Sequence, residues 1–460
     1  MRARLPGLIA AFLLSLPATV WADGLPTVPE PLVLSQSGVS LRGEWNKDGT
    51  RLLTTAGDGR CLITESPPEG QSLQEHCPDR VTQARHTVRV WDTDPSSATL
   101  GQVLLEFDPE GDGSPAAAWN PAETLVMAYR VSGALSVWDA ETGAAQYRID
   151  TGGRIIKALW SPDGEHLLTL SLITNDDGTE RLHVDVWRGK AAVQEWVVPL
   201  AETIRQVFLA EWSDDSERVL VVTRQHSAHL WDVRSGGLLN ELVLGGPGVA
   251  VHIPRLAWDA SLDHIWLVDD HDNLIVRWSL RDGSRIAVHQ DGPEGVRLSV
   301  DGQHIVHWSV QQIVVRDAET MAAEARWDNG GDPFLPMMNA FWSPLEREIT
   351  IATIGILNWQ FGTGDLQAFD CGDMTCGIPK WNPDRSHYAI GVYVANSGWF
   401  AGVRVYEQES DALQYDLSAT VMAFASAQDG AGYDWSPDGY WLLVSPAFSE
   451  SLLLWHIGDD

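Results

Sequence analysis

Apolar and polar residues alternate in short runs along this chain, and turn formers separate the runs. One stretch carries the pattern most clearly. Lys157-Ala158-Leu159-Trp160 alternates, Ser161-Pro162-Asp163-Gly164 interrupts it, and Glu165-His166-Leu167-Leu168-Thr169 resumes it. Side chains two apart share one face of a strand, so Ala158 and Trp160 point the same way. In Pro-Asp-Gly, Pro presets φ, Asp caps the backbone and Gly accepts positive φ, which predicts a tight turn. A second alternating run ends in another Trp, as in Leu135-Ser136-Val137-Trp138-Asp139. A turn such as Ala140-Glu141-Thr142-Gly143 and a last run such as Ala145–Ile149 complete the unit. Four short antiparallel strands cannot bury both of their faces alone, so such units must stack on one another.

The unit recurs at intervals of roughly 40 to 50 residues, the signature of a propeller or solenoid. Its first Trp, or a substitute, stands at Trp45, Trp119, Trp160, Trp212, Trp258, Leu298, Trp342, Trp381 and Trp435. Its second stands at Trp91, Trp138, Trp187, Trp231, Trp278, Arg316, Trp359, Tyr406 and Trp455. Small residues two before the first Trp (Gly43, Ala117, Ala158, Ala210, Ala340) leave room for neighbouring sheets to close on the indole. The one long interval, between Trp45 and Trp119, contains an insertion at 59–86. These positions hold most of the 22 tryptophans. Packing between blades is the expected use of those side chains; an exposed ligand-binding ladder is the alternative. The prediction is an all-β chain: one closed β-propeller of four-stranded antiparallel blades over 31–460. Nine repeat units are counted, and eight blades plus an irregular hairpin is the alternative. The last unit stops after its third strand, and Pro31–Ser35 is an orphan strand able to complete it.

The units resemble the WD-repeat β-propellers through Trp-Asp at 91–92, 138–139 and 231–232 and through Pro-Asp-Gly at 162–164 and 437–439. The Trp-Ser-Pro-Asp-Gly form is also similar to the propeller of periplasmic Tol-system accessory proteins. The resemblance implies a ring closed by pairing of its first and last segments. Two departures stand out. The Gly-His dipeptide typical of WD repeats is missing, and the sixth unit has Leu298 and Arg316 where Trp is expected.

The first residues read as an address. Arg2 and Arg4 precede an apolar core, Leu8–Leu16, that is too short to span a bilayer, and Val20-Trp21-Ala22 places small residues for cleavage after Ala22. A signal peptide at 1–22, a leader at 23–30 and a periplasmic or secreted propeller are expected, without membrane insertion and as a monomer. Asp and Glu number 63 against 31 Lys and Arg, a formal charge of −32. A surface so acidic argues against nucleic acid, which needs a basic face. The four cysteines, Cys61, Cys77, Cys371 and Cys376, predict disulfides in an exported chain, with local pairing, Cys61 to Cys77 and Cys371 to Cys376, favoured among three connectivities.

No catalytic motif is present: no His-Glu-x-x-His, no Gly-x-Ser-x-Gly and no phosphate-binding Gly loop. The expected class is therefore a non-enzyme, without cofactor or metal, that acts as a scaffold for a protein or peptide. Two acidic turns, Asp108–Gly113 and Asn175–Glu180, offer oxygens that calcium uses, although hairpin turns employ the same residues without metal. The scattered histidines, among them His183, His229 and His456, read as structural. Long apolar loops give the binding candidates Phe334, Met337, Met338, Met374, Trp399 and Phe400, because loop clusters of aromatic residues and Met mark partner sites. A second candidate is the channel, lined by Arg42, Glu44, Lys157, Glu211, Arg255, Arg297, Lys380 and Asp434. Two alternatives use it: a propeller hydrolase or lactonase with a metal at the channel mouth, and a receptor for a small molecule or sugar.

Overall fold

The computed structural model describes residues 30–457 except 37–38, 58–86, 112–114, 132–133, 189–192, 200–206, 224–226, 244–255, 270–271, 290–291, 331–338, 344–347, 353–355, 370–373, 395–398, 418–422, 425–431 and 446–450. The described residues contain strands and turns and no helix. The strands make nine antiparallel sheets, one per repeat unit, arranged as the blades of a β-propeller. The count of nine stands, and the eight-blade alternative falls. Blade 1 begins at Val39 and blade 9 at Tyr433.

Every unit's first motif residue ends the innermost strand of its blade, from Trp45 at the close of Val39–Trp45 to Trp435 at the close of Tyr433–Trp435. The two motif positions lie in one row across each blade. In blade 3, Trp160 pairs with Leu167, which pairs with Trp187. In blade 9 the row is Trp435, Leu442 and Trp455. The row exists because strand pairing places partners on the same face, so one indole from each side covers a central aliphatic residue.

In blades 2, 4, 7 and 9 the first Trp also bonds to the blade before it. The indole N–H of Trp435 donates to the Lys380 carbonyl at 2.9 Å, that of Trp342 to Arg297 at 3.3 Å, and those of Trp119 and Trp212 to Glu44 and Leu159 at 3.4 Å. Each acceptor is the residue just before the motif position of the preceding blade. The second Trp binds within its own blade: Trp91 donates to Thr54 Oγ1 at 2.8 Å and Trp187 to Thr169 Oγ1 at 2.9 Å. All the motif tryptophans are buried or half-buried, as core packing requires. Burying one indole contributes on the order of 4 kcal/mol.

The Ser-Pro-Asp-Gly turn works as its residues dictate. Ser161 Oγ accepts from His166 N at 2.9 Å, and Asp163 Oδ1 accepts from Glu165 N at 2.9 Å. Gly164 has φ 72°. The same contacts recur at Ser213 with Asp215, Ser299 with Asp301 and Ser436 with Asp438. Where Gly is replaced, the positive φ remains: Glu123, Ser216, Leu262 and Arg385 lie at 58°, 61°, 54° and 63°.

The ring closes as the orphan strand predicts. Leu32–Ser35 pairs antiparallel with Ser451–His456 as the outermost strand of blade 9, Leu34 opposite Leu452. Leu34 is 1% exposed and packs with Trp441, Leu443 and Leu454.

One regularity has no sequence counterpart. The pairing of the third strand with the fourth shifts register at the second motif residue, at Trp91, Trp138, Trp187, Trp231, Arg316 and Tyr406. A bulge there raises the local twist and lets the outer strand bend around the bulky side chain.

Candidate binding surface

Strand direction decides which loops share a face. In each blade the chain runs out along the first strand and back along the second. The loop joining second and third strands therefore lies on the same side as the connections between blades. Among the described residues, blade 8 is the most elaborated on that side. Its second and third strands, His387–Val394 and Trp399–Glu407, are long. Two added segments extend the sheet to six strands: Met374–Cys376 pairs with Val392–Val394, and Ala423–Phe424 pairs with Trp399–Phe400. Met374 thus lies opposite Val394, and Phe400 opposite Tyr393. Three candidates that the sequence scatters over two loops stand on one sheet.

Phe400 corrects its own prediction. It is 1% exposed and cannot meet a partner directly. Its ring meets Tyr393 edge-on at 5.4 Å and stacks with Tyr433 of blade 9 at 6.5 Å. Gly391 permits this: a Cβ there would come within 2.8 Å of the Tyr433 ring and 3.2 Å of Phe400. The residue wedges blade 8 against blade 9 and joins a core cluster with Val403, Val405 and Trp455. For Met374 and Trp399 only the backbone is described. Phe334, Met337 and Met338 lie outside the described residues, as do the 59–86 insertion, Cys61, Cys77 and Cys371. Cys376 is buried and disulfide-bonded, with its sulfur 3.6 Å from the Phe369 carbonyl; its partner is not among the described residues.

The channel candidates do not converge on one point. The described pairs run between neighbouring blades. Lys157 Nζ donates to the Ala210 carbonyl at 3.0 Å and lies 3.7 Å from Glu211. Lys380 lies 3.4 Å from Asp434 and 5.6 Å from the Tyr433 ring centre. Arg297 stacks on Phe341 of blade 7 at 4.3 Å, and burial lowers its pKa. Burial raises the Glu211 carboxyl, with Lys157 opposing. Glu44 keeps an open surface, yet the protein around its carboxyl desolvates it. That desolvation, helped by Glu123 and opposed by the Trp119 backbone N–H, pushes it up to about 6. Arg255 lies outside the described residues, and Arg42 has only its backbone described. The pairs link blades.

Among the described residues, carboxylates of both acidic turns are in use. Asp108 binds Arg130 at 2.8 Å, and Glu110 binds Arg148 at 3.1 Å. Asp177 Oδ1 accepts from Thr179 N at 2.9 Å and from its hydroxyl at 2.6 Å, closing the turn of the long blade 3 hairpin. Among the described residues no group of three His, Cys, Asp or Glu is placed to hold a metal. His229 stacks on Trp231 at 5.5 Å, and its Nε2 lies 2.8 Å from Ser227 Oγ; burial lowers its pKa. His456 stacks on Tyr440 at 5.7 Å.

Sequence reasoning passed over blade 6 because its two missing tryptophans read as decay of the repeat. Arg316 there donates through Nε to Nε2 of fully buried His307 at 2.8 Å and through Nη1 to the Met321 carbonyl at 2.9 Å. The departure itself was the signal.

No protein-family model matches the sequence, and no curated protein matches it. Solved structures do match in fold. A crystal structure of the eukaryotic initiation factor superposes with a TM-score of 0.56 at 12% identity, over 80% of this chain and 90% of that one. The C-terminal WD40 domain of Sif2 gives 0.47 at 13% identity, over 75% and 95%. A chain of a mitotic checkpoint complex gives 0.40 at 17% identity, over 68% and 94%. At these identities the likeness is one of fold alone, and the fold is the β-propeller already described.

Proposed function

We propose, from the premise of a WD-repeat propeller fold, that this chain is an exported, non-catalytic scaffold that binds a protein or peptide. Binding takes place on the face formed by the second-to-third-strand loops and the inter-blade connections, centred on blade 8. The observation that carries this reading is the growth of blade 8 to six strands. A blade needs four to complete the ring, so the two added segments serve the face and not the closure. They flank the hairpin that begins its return at Trp399, next to the Met374 segment. Elaborated loops on a rigid scaffold are where propellers of any kind carry recognition. The −32 charge favours a partner with a cationic or neutral contact surface.

The test separates contact from support. Trp399→Ser is expected to abolish capture of a partner from an extract of the native envelope while leaving thermal unfolding unchanged. Phe400→Ala, at a buried site, is expected to lower stability by about 3–5 kcal/mol. Unaltered capture by Trp399→Ser rejects the proposed face.

A further inference from the structure

Between blades 5 and 6 the outer wall of the ring opens into a groove of about 440 Å³. His289 of blade 5 forms one side. Gln312, Val314 and Arg316 on the third strand of blade 6, with Ala323, Glu324 and Arg326 on its fourth, form the other. The volume suits a small molecule. The groove has a definite origin in the repeat. Arg316 occupies the row position that holds an indole in most blades, pairing with Ile305 on one side and Ala323 on the other. A long thin side chain beside an alanine leaves open the space that the aromatic fills elsewhere.

The guanidinium is fixed and incompletely used. His307 accepts from Nε and the Met321 carbonyl accepts from Nη1. Nη2 has no hydrogen-bond partner among the described residues, and no carboxylate there lies within ion-pair distance of Arg316. Burial and the neighbouring Arg316 charge push His307 down to about 3, so it stays neutral and cannot serve as the counter-charge. The one acid in the groove, Glu324, is engaged by His304 at 3.1 Å, and Arg326 reaches Asp328 at 3.4 Å. Gln312 lines the groove as well, with its Oε1 buried and unpartnered among the described residues. Val314 and Ala323 supply the apolar floor.

We propose that this groove binds a small carboxylate with an apolar body, its carboxylate on Arg316 and its hydrocarbon over Val314 and Ala323. Arg favours planar carboxylates because its donors match their two oxygens.

Benzoate and hexanoate serve as probes, read by saturation-transfer NMR and titrated to a Kd, with sulfate at equal ionic strength as control. The wild-type chain is expected to bind both saturably and sulfate not at all. Arg316→Gln is expected to weaken binding at least about tenfold, the loss of one charge-assisted contact. Arg316→Trp restores the residue that the repeat uses and fills the groove. It is expected to keep the fold by circular dichroism and to lose binding altogether, which guards against misfolding of the first variant. Absence of saturable binding to the wild type, or equal binding by wild type and Arg316→Trp, overturns the proposal.

Discussion

Trp45 and Trp435 hold the same position in blades that adjoin across the ring closure, and they differ in one hydrogen bond. The Trp435 N–H donates to the Lys380 carbonyl at 2.9 Å. The Trp45 N–H is buried without a partner among the described residues. Phe in place of Trp removes the N–H and part of the ring at either site, a loss of roughly 1 kcal/mol in buried area. At 435 the change also removes a bond with a net value of about 1 kcal/mol and strips the Lys380 carbonyl of a partner, costing about 1–3 kcal/mol more. At 45 it relieves an unsatisfied donor, which offsets the lost area. Trp435→Phe should therefore destabilise by about 3–5 kcal/mol and Trp45→Phe by about 1 kcal/mol or less. Urea unfolding followed by far-UV circular dichroism measures both, with slopes compared so that each midpoint shift reads as free energy. Equal shifts would refute the claim that the first Trp acts as a bond between blades as well as a filler.

Other outcomes follow from single contacts. Asp263 of blade 5 binds Arg218 of blade 4 at 2.6 Å and Arg281 at 2.7 Å. Burial works to raise its carboxyl, but the hydrogen bonds and charges of Arg281 and Arg218 prevail and pull it to about 2. Its folded pKa lies below its unfolded value, so it stabilises above about pH 4 and loses that contribution as pH falls toward 2. Asp263→Asn should cost about 1–2 kcal/mol at pH 7, and melts at pH 2 should show the difference closing. Arg385→Gly should stabilise by about 0.5–1 kcal/mol by relieving the φ of 63°, read from the urea midpoint. Leu34→Ala should cost about 2–5 kcal/mol in the closing strand; loss of amide protection in Ser451–His456 would localise the damage. Glu44, raised to about 6, favours folding in its neutral form, so Glu44→Gln should raise the melting temperature at pH 8 and leave it unchanged at pH 4.

The architecture was legible because it is local and repeated. An indole at a strand end, a Ser-x-Asp-Gly turn and a period-2 run each act within a few residues, and nine copies reinforce one another. Closure was legible because an unpaired strand and an incomplete unit left one solution. The binding face was less so. Alternation tells which side of a strand a residue occupies but not what covers that side, so Phe400 at a hairpin end read as exposed when Tyr393 and Tyr433 enclose it. The segments Met374–Cys376 and Ala423–Phe424 are too short to announce themselves as strands, and only distant pairing makes them so. Arg316 read as a lapse in the repeat because a sequence shows a missing Trp but not the space it leaves.

The central claim is that recognition lies on blade 8 where the repeat is exceeded. Placing a photo-crosslinking residue at 399, at 374 and, as a control on the outer edge of blade 5, at 286 tests it most directly in the native host. The account predicts one shared partner band from 399 and 374 and none from 286. A band from 286 alone, or the same band from all three, would contradict it.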